Sequence, residues 1–147
     1  MILPLLEGME GVDIGSDAAA QQRFEHIVQS PDHYLPVAVD GEHLVGYGWV
    51  QDYGPHLRTG ARTARLHDLF VTPDHRRRGI GSALFLAVKT WAERRGVRYL
   101  EWQASRAALP FYERLGYTGD PCPQPDYPFF EIEFPLASRH SRVQERS

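Results

Sequence analysis

Arg76, Arg77 and Arg78 run directly into Gly79-Ile80-Gly81-Ser82. The segment before them, Ala64 to Val71, reads as a strand ended by Thr72-Pro73, and the segment after them opens a long helix. A helix N-terminus presents unpaired N–H groups and the positive end of the helix dipole, so it attracts anions. Glycine lets that backbone come close to a phosphate because no Cβ intervenes. The arginines add charge and forked donors. The chemistry that fits this pattern is the holding of a phosphate or pyrophosphate. The Gly-Lys-Ser/Thr ending of a triphosphate loop is missing, and so is the third glycine of a dinucleotide fingerprint. On these residues alone, a plain strand-to-helix turn with a solvated basic face stays open as the alternative.

The elements that must position this loop follow from periodicity and punctuation. Gly79 to Arg95 reads as the clearest helix, with Ile80, Leu84, Val88 and Trp91 on one face and Gly96 as its stop. Asp17 to Gln29 predicts an earlier helix, with Phe24, Ile27 and Val28 as its apolar stripe, Ser16 or Asp17 as its cap and Pro31 beyond its end. Tyr34 to Val39 and Leu44 to Val50 predict a hairpin about Asp40-Gly41, and Tyr53 to Gly60 a loop. Val97 to Trp102 predicts the next strand, joined to Ala64 to Val71 by a right-handed parallel crossover. Arg106 to Leu115 predicts a short helix, with Ser105 as cap, Gly116 as stop and Pro110 tolerable only near the first turn. Phe129 to Phe134 predicts a last strand. Helices and strands mixed in this order indicate an α/β or α+β sheet with helices on its faces.

The bulk properties narrow the class. A chain of 147 residues suits one domain with one core. A net charge of -3 gives no electrostatic reason to expect nucleic acid. Cys122 is the single cysteine, which excludes an intrachain disulfide and fits a reducing compartment. The start, Met1 to Gly11, lacks the basic residues and long apolar run of a signal peptide, and no stretch approaches the ~20 apolar residues of a membrane span. The expectation is a soluble cytoplasmic protein with neither a nucleic-acid nor a membrane partner. The scattered histidines show no metal-like spacing, so no metal is expected.

Leu66 to Ala83 (LHDLFVTPDHRRRGIGSA) resembles the Gcn5-related N-acetyltransferase (GNAT) family. In that family a strand with an apolar-x-Val-x-Pro ending runs into Arg/Gln-x-x-Gly-x-Gly/Ala, and here Arg76, Gly79 and Gly81 hold those positions. A second family signature is similar to Phe111-Tyr112-Glu113-Arg114-Leu115-Gly116-Tyr117. The match extends over Leu44 to Tyr117. His67 to Val71 looks like the diamine-acetylating branch, near the aminoglycoside-type small-amine enzymes, without fixing the acceptor. The resemblance implies a GNAT fold, a central mixed and mostly antiparallel twisted sheet flanked by helices. The polar, charged run Ala137 to Ser147 reads as a solvated tail, so the single domain is expected over 1–136. The resemblance also implies an enzyme that passes the acetyl group of acetyl-CoA directly to a primary amine in a ternary complex, releasing coenzyme A.

Site roles follow from the same resemblance. The loop formed by Arg76, Arg77, Arg78, Gly79, Ile80, Gly81 and Ser82 would bind the coenzyme pyrophosphate. The backbone of Leu69, Phe70 and Val71 would pair with the pantetheine arm, and a bulge there would aim one N–H at the thioester carbonyl. Tyr112 matches the tyrosine that protonates the leaving thiolate, with a plain core role as its alternative. Ser105 stands where many members have an asparagine bonded to pantetheine, and it serves either that purpose or helix capping. An amine must lose a proton to attack. His67, at a position where the diamine branch has a glutamate proposed as base, is the candidate, against a role as a histidine merely hydrogen-bonded within the sheet. Alternation puts His67 and Asp68 on opposite faces, leaving Asp68 to cap or to pair with an arginine.

Family members usually begin with a strand before the first helix; here Met1 to Gly11 looks more like that helix, which leaves the strand missing or upstream, and the alternative is that Ile2 to Leu6 is itself the strand. If it is absent, the sheet edge is free for a partner chain, so a homodimer is compatible with the sequence. Glu7, Glu10, Asp13, Asp17, Asp120 and Asp126 would form an acidic rim for a cationic small-molecule or peptide amine, or else are ordinary solvated acids. A different class of function, a catalytically degenerate acyl-CoA sensor or interaction module, is set apart by binding without thiol release.

Overall fold

A computed structural model describes residues 17–119 and 130–135. Met1 to Gly11, the acidic rim apart from Asp17, Cys122 and the C-terminal tail lie outside the described residues. Two compact units divide the chain, Met1–Ala108 and Leu109–Ser147.

The first unit opens with α1 (Asp17–Gln29). Ala20 is buried and Phe24 and Ile27 are half-buried, a spacing of one helix face. Val28, expected in that stripe, is 51% exposed because it falls past the edge of this face. The expected strand from Tyr34 to Val39 is split into β1 (His33–Tyr34) and β2 (Val37–Asp40). Pro36 lies at the break, where its missing N–H removes a ladder donor, while its carbonyl still accepts the Gly48 N–H at 2.9 Å. β2 and β3 (His43–Pro55) form the expected hairpin, closed by the pair Asp40↔His43 and by Gly41 at φ 61°. β3 runs well past Val50 into the segment expected to be a loop, because β4 (Arg62–Val71) pairs with it as far as Pro55↔Arg62.

Antiparallel pairing joins β1, β2 and β4 to β3, whereas β5 (Val97–Glu101) runs parallel to β4. The sheet is therefore mixed and mostly antiparallel. α2 (Ile80–Arg94) links β4 to β5 and buries Leu84, Phe85, Val88 and Ala92. It packs so closely on β3 that a Cβ added at Gly46 would lie 3.2 Å from Leu84 Cδ1 and 2.9 Å from the Phe70 carbonyl oxygen. On the opposite sheet face, Tyr47 and Phe70 form a cluster with Phe24 of α1, Leu35, Leu44 and Trp49.

A buried carboxylate fastens the far end of this unit. Asp52, 4% exposed, accepts from Arg95 Nε at 2.8 Å, Arg62 Nη1 at 2.9 Å and the Gly54 N–H at 2.7 Å. Burial would raise the Asp52 pKa, but these donors outweigh it and hold the carboxyl below its ordinary value. Arg95 also lies over the Trp91 ring, which stacks on Tyr34.

The second unit contains α3 (Leu109–Arg114), shorter than the helix expected from Arg106. Pro110 sets this start. A helix begun at Arg106 would need its missing N–H, whereas in the first turn that N–H has no helical acceptor to lose. The expected last strand is not formed: the described residues Phe130 to Pro135 carry no strand, and Phe130, Ile132 and Phe134 are exposed. Alternating apolar residues make a strand only where a neighbouring chain supplies ladder bonds.

Candidate active site

The strand edge above the basic loop is open. β4 pairs with β5 only from Arg62↔Val97 to Arg65↔Glu101, yet it pairs with β3 as far as Gly46↔Val71. Among the described residues, Leu66 to Val71 therefore have a ladder on one side only, and Leu69, Phe70 and Val71 lie on that open margin. The main chain then passes through a 3-10 turn (Pro73–His75) to Gly79, the residue before α2. Gly79 has φ 82° and Arg77 has φ 63°, both left-handed. For glycine this costs little, whereas Arg77 is held in a conformation that arginine seldom adopts.

No side chain caps α2 at Gly79, and the first helical bond is Ala83 N–H to the Gly79 carbonyl at 3.0 Å. The first-turn N–H groups of Ile80, Gly81 and Ser82 thus face outward along the axis. Arg76 bends back, donating from Nε to the Val71 carbonyl at 2.9 Å and lying over the Phe70 ring. It braces the strand end rather than reaching outward. Arg77 and Arg78 are exposed and make no ion pair with the described residues. These groups fit a phosphorylated ligand with an extended amide-bearing arm: donors and cations at one end, a bare strand edge at the other.

Of the two irregularities in the β3–β4 ladder, the one nearer the open margin falls at His67, upstream of Leu69 to Val71 where it was expected. Trp49 pairs with Asp68 and Val50 with Leu66, so His67 is the extra residue. This overturns the alternation argument. His67 and Asp68 both meet the β3 face that carries Tyr47, Trp49 and Gln51. His67 Nε2 lies 2.9 Å from Gln51 Oε1, and its ring centroid lies 4.4 Å from that of Trp49. Among the described residues Asp68 pairs with no arginine, and it accepts a hydrogen bond from the Tyr47 hydroxyl. Burial first, then Arg65 and His33, push the His67 pKa below its ordinary value, so the ring is neutral at pH 7. Burial pushes the Asp68 carboxyl up, against the opposing hydrogen bonds from Tyr47 and the Leu69 N–H.

Ser105 Oγ accepts the Ala108 N–H at 3.2 Å, which is the capping geometry. Tyr112 belongs to the second unit, where it is buried in α3 with its ring edge-on to Phe111 at 5.0 Å. The sequence reading had not singled out Tyr47, Trp49 or Gln51 as neighbours of His67. Their signal was the i, i+2, i+4 spacing on β3, hidden because Gln51 was placed beyond the strand end.

A strand edge left open beside its parallel neighbour and leading to an uncapped basic helix start suits an extended phosphorylated ligand. A model of the Acetyltransferase (GNAT) family matches residues 7–117, and the chain belongs to that family. It is 44% identical over 57 residues to an uncharacterized N-acetyltransferase of Methanocaldococcus jannaschii, a match covering 37% of this chain and 25% of that relative. It therefore spans only a quarter of that relative's length. A transcriptional regulator from Bacillus halodurans C-125 superposes with TM-score 0.71 at 22% identity, covering 90% of this chain and 91% of that one. The glucosamine-6-phosphate N-acetyltransferase from Arabidopsis thaliana gives TM-score 0.71 at 20% identity, over 85% and 87% of the two chains. At these identities the likeness is one of fold.

Proposed function

We propose that this chain is an acetyl-CoA-dependent N-acetyltransferase that passes the acetyl group directly to a primary amine. The observation that carries this reading is the β4 margin from Leu66 to Val71, paired among the described residues with β3 alone and continuing into the loop and helix start at Arg76 to Ser82. When bound, acetyl-CoA supplies the acetyl group as a thioester. Arg77, Arg78 and the N–H groups of Ile80, Gly81 and Ser82 hold its phosphates, and the open backbone of Leu69 to Val71 orients its amide arm. Arg76 keeps the Val71 end of that margin in place.

His67 is neutral at pH 7 and accepts the proton that an ammonium must shed before it attacks. Asp68 is a poorer base, because its carboxylate already accepts from Tyr47. The Tyr112 hydroxyl holds a proton for the leaving sulfur, since a phenol is a weaker acid than a thiol. Residues 1–136 form the catalytic domain in this reading, in keeping with a family match that ends at 117.

Initial rates over crossed concentrations of acetyl-CoA and a panel of primary amines test the direct route. Intersecting double-reciprocal lines are expected. Parallel lines would mean an acetylated enzyme intermediate and would overturn the ternary complex.

A further inference from the structure

His67 is the extra residue of the bulge, so its ring is not fixed by regular strand alternation and needs another support. Trp49 flanks its face and Tyr53 approaches edge-on at 6.2 Å. Its one side-chain hydrogen bond is to Gln51, with Nε2 lying 2.9 Å from Oε1. An amide oxygen only accepts, so this pairing requires the proton to sit on Nε2. The lone pair of the neutral ring is then on Nδ1, which makes no hydrogen bond with the described residues.

We infer that Gln51 is a positioning residue: its amide oxygen locks His67 in the Nε2–H tautomer and leaves Nδ1 as the basic nitrogen turned to the acceptor amine. The proton of the ammonium passes to Nδ1, giving an imidazolium that keeps its Nε2–H bond to Gln51. His33 on β1 is held in the same sense by the neighbouring indole. Trp49 Nε1 donates to His33 Nδ1 at 3.0 Å, so neutral His33 carries its proton on Nε2. The charged and titratable groups around His67 are Arg65 on its own strand, His33 on β1, Tyr53 on β3, and the Tyr47–Asp68 pair. Behind His33, His26 of α1 lines the same shallow groove with Trp49, Arg23 and Ile27. Among the described residues none of these hydrogen-bonds the His67 ring, which Gln51 alone does.

The catalytic half of this inference rests on His67 being the base, so the test separates the two. Nitrogen-15 spectra of the histidine-labelled full chain read the tautomer directly, with the His67 signals identified by their loss in His67→Gln. An unprotonated Nδ1 and a protonated Nε2 are expected at pH 8. In Gln51→Leu the two nitrogens should move toward the averaged shifts of a mixed tautomer. A wild-type ring protonated on Nδ1, or one unchanged by Gln51→Leu, would overturn the lock, whatever the activity. In turnover, Gln51→Leu should lower kcat about tenfold or more with little change in the KM for acetyl-CoA. Gln51→Glu, which keeps the acceptor and adds charge, should retain the tautomer and move the acid limb of the pH–rate profile up by about one pH unit. An unmoved limb would overturn the role of Gln51 in catalysis. Should His67→Gln retain full activity while the tautomer result holds, the base assignment fails and the lock stands.

Discussion

The Tyr47 hydroxyl on β3 donates to Asp68 Oδ2 on β4, tying the strand residue that follows the bulged His67 to the neighbouring strand. Burial raises the Asp68 pKa, and a carboxyl whose folded pKa is raised contributes its stability below the ordinary value of 3.8 and loses it as pH rises through the raised value. Tyr47→Phe removes a donor to the charged form. It is expected to cost about 1–2 kcal/mol at pH 7 and less at pH 4, measured by urea unfolding at both pH values. A penalty independent of pH would show that the lost packing, not the hydrogen bond, matters.

Asp52 gives the opposite pH dependence. Its folded pKa is depressed, so its contribution is present above the ordinary value of 3.8 and lost as pH falls through the lowered value. Asp52→Asn leaves Arg62 without its anion and leaves Arg95 only its ion pair with the exposed Asp32 at 3.0 Å. Both arginines are partly exposed, so solvent screening trims the cost to about 2–4 kcal/mol at pH 7. The gap between variant and wild type should close only in strong acid, as denaturation curves down to about pH 2 would reveal.

Gly46 has no room for a side chain. A Cβ there would sit 2.9 Å from the Phe70 carbonyl oxygen, which is backbone and cannot swing away. Gly46→Ala is expected to destabilise the fold by about 1–3 kcal/mol through forced separation of β3 and β4. An unchanged thermal midpoint would mean that the two strands yield more easily than their packing implies.

The loop assignment predicts a binding defect without unfolding. Gly81 lies in the first turn of α2, where a large side chain would stand over the outward N–H groups. Gly81→Phe should weaken acetyl-CoA binding by about tenfold or more while the thermal midpoint stays close to wild type. Undiminished affinity in a folded variant would remove the phosphate-binding role from this helix start.

Much of the scaffold was legible because its signals are local. α1 carries the expected bounds, and Gly79, Gly96 and the proline at 110 punctuate helices by their own backbone chemistry. The basic loop was legible for the same reason. The neighbourhood of His67 was not, because a bulge is a property of two strands in register. Nothing in His67-Asp68 alone says that Trp49 will face both of them. The exposed Phe130, Ile132 and Phe134 make the same point from the other side: period-two alternation marks a face and does not supply a partner.

The most direct test of the central claim is a calorimetric titration of the full chain with acetyl-CoA, followed by thiol release against a panel of primary amines. Saturable binding with thiol released in proportion to one amine class is the predicted result. An absence of binding would contradict the assignment of the β4 margin and the α2 start. Binding without thiol release on every amine would contradict transfer and leave a protein that only senses acyl-CoA.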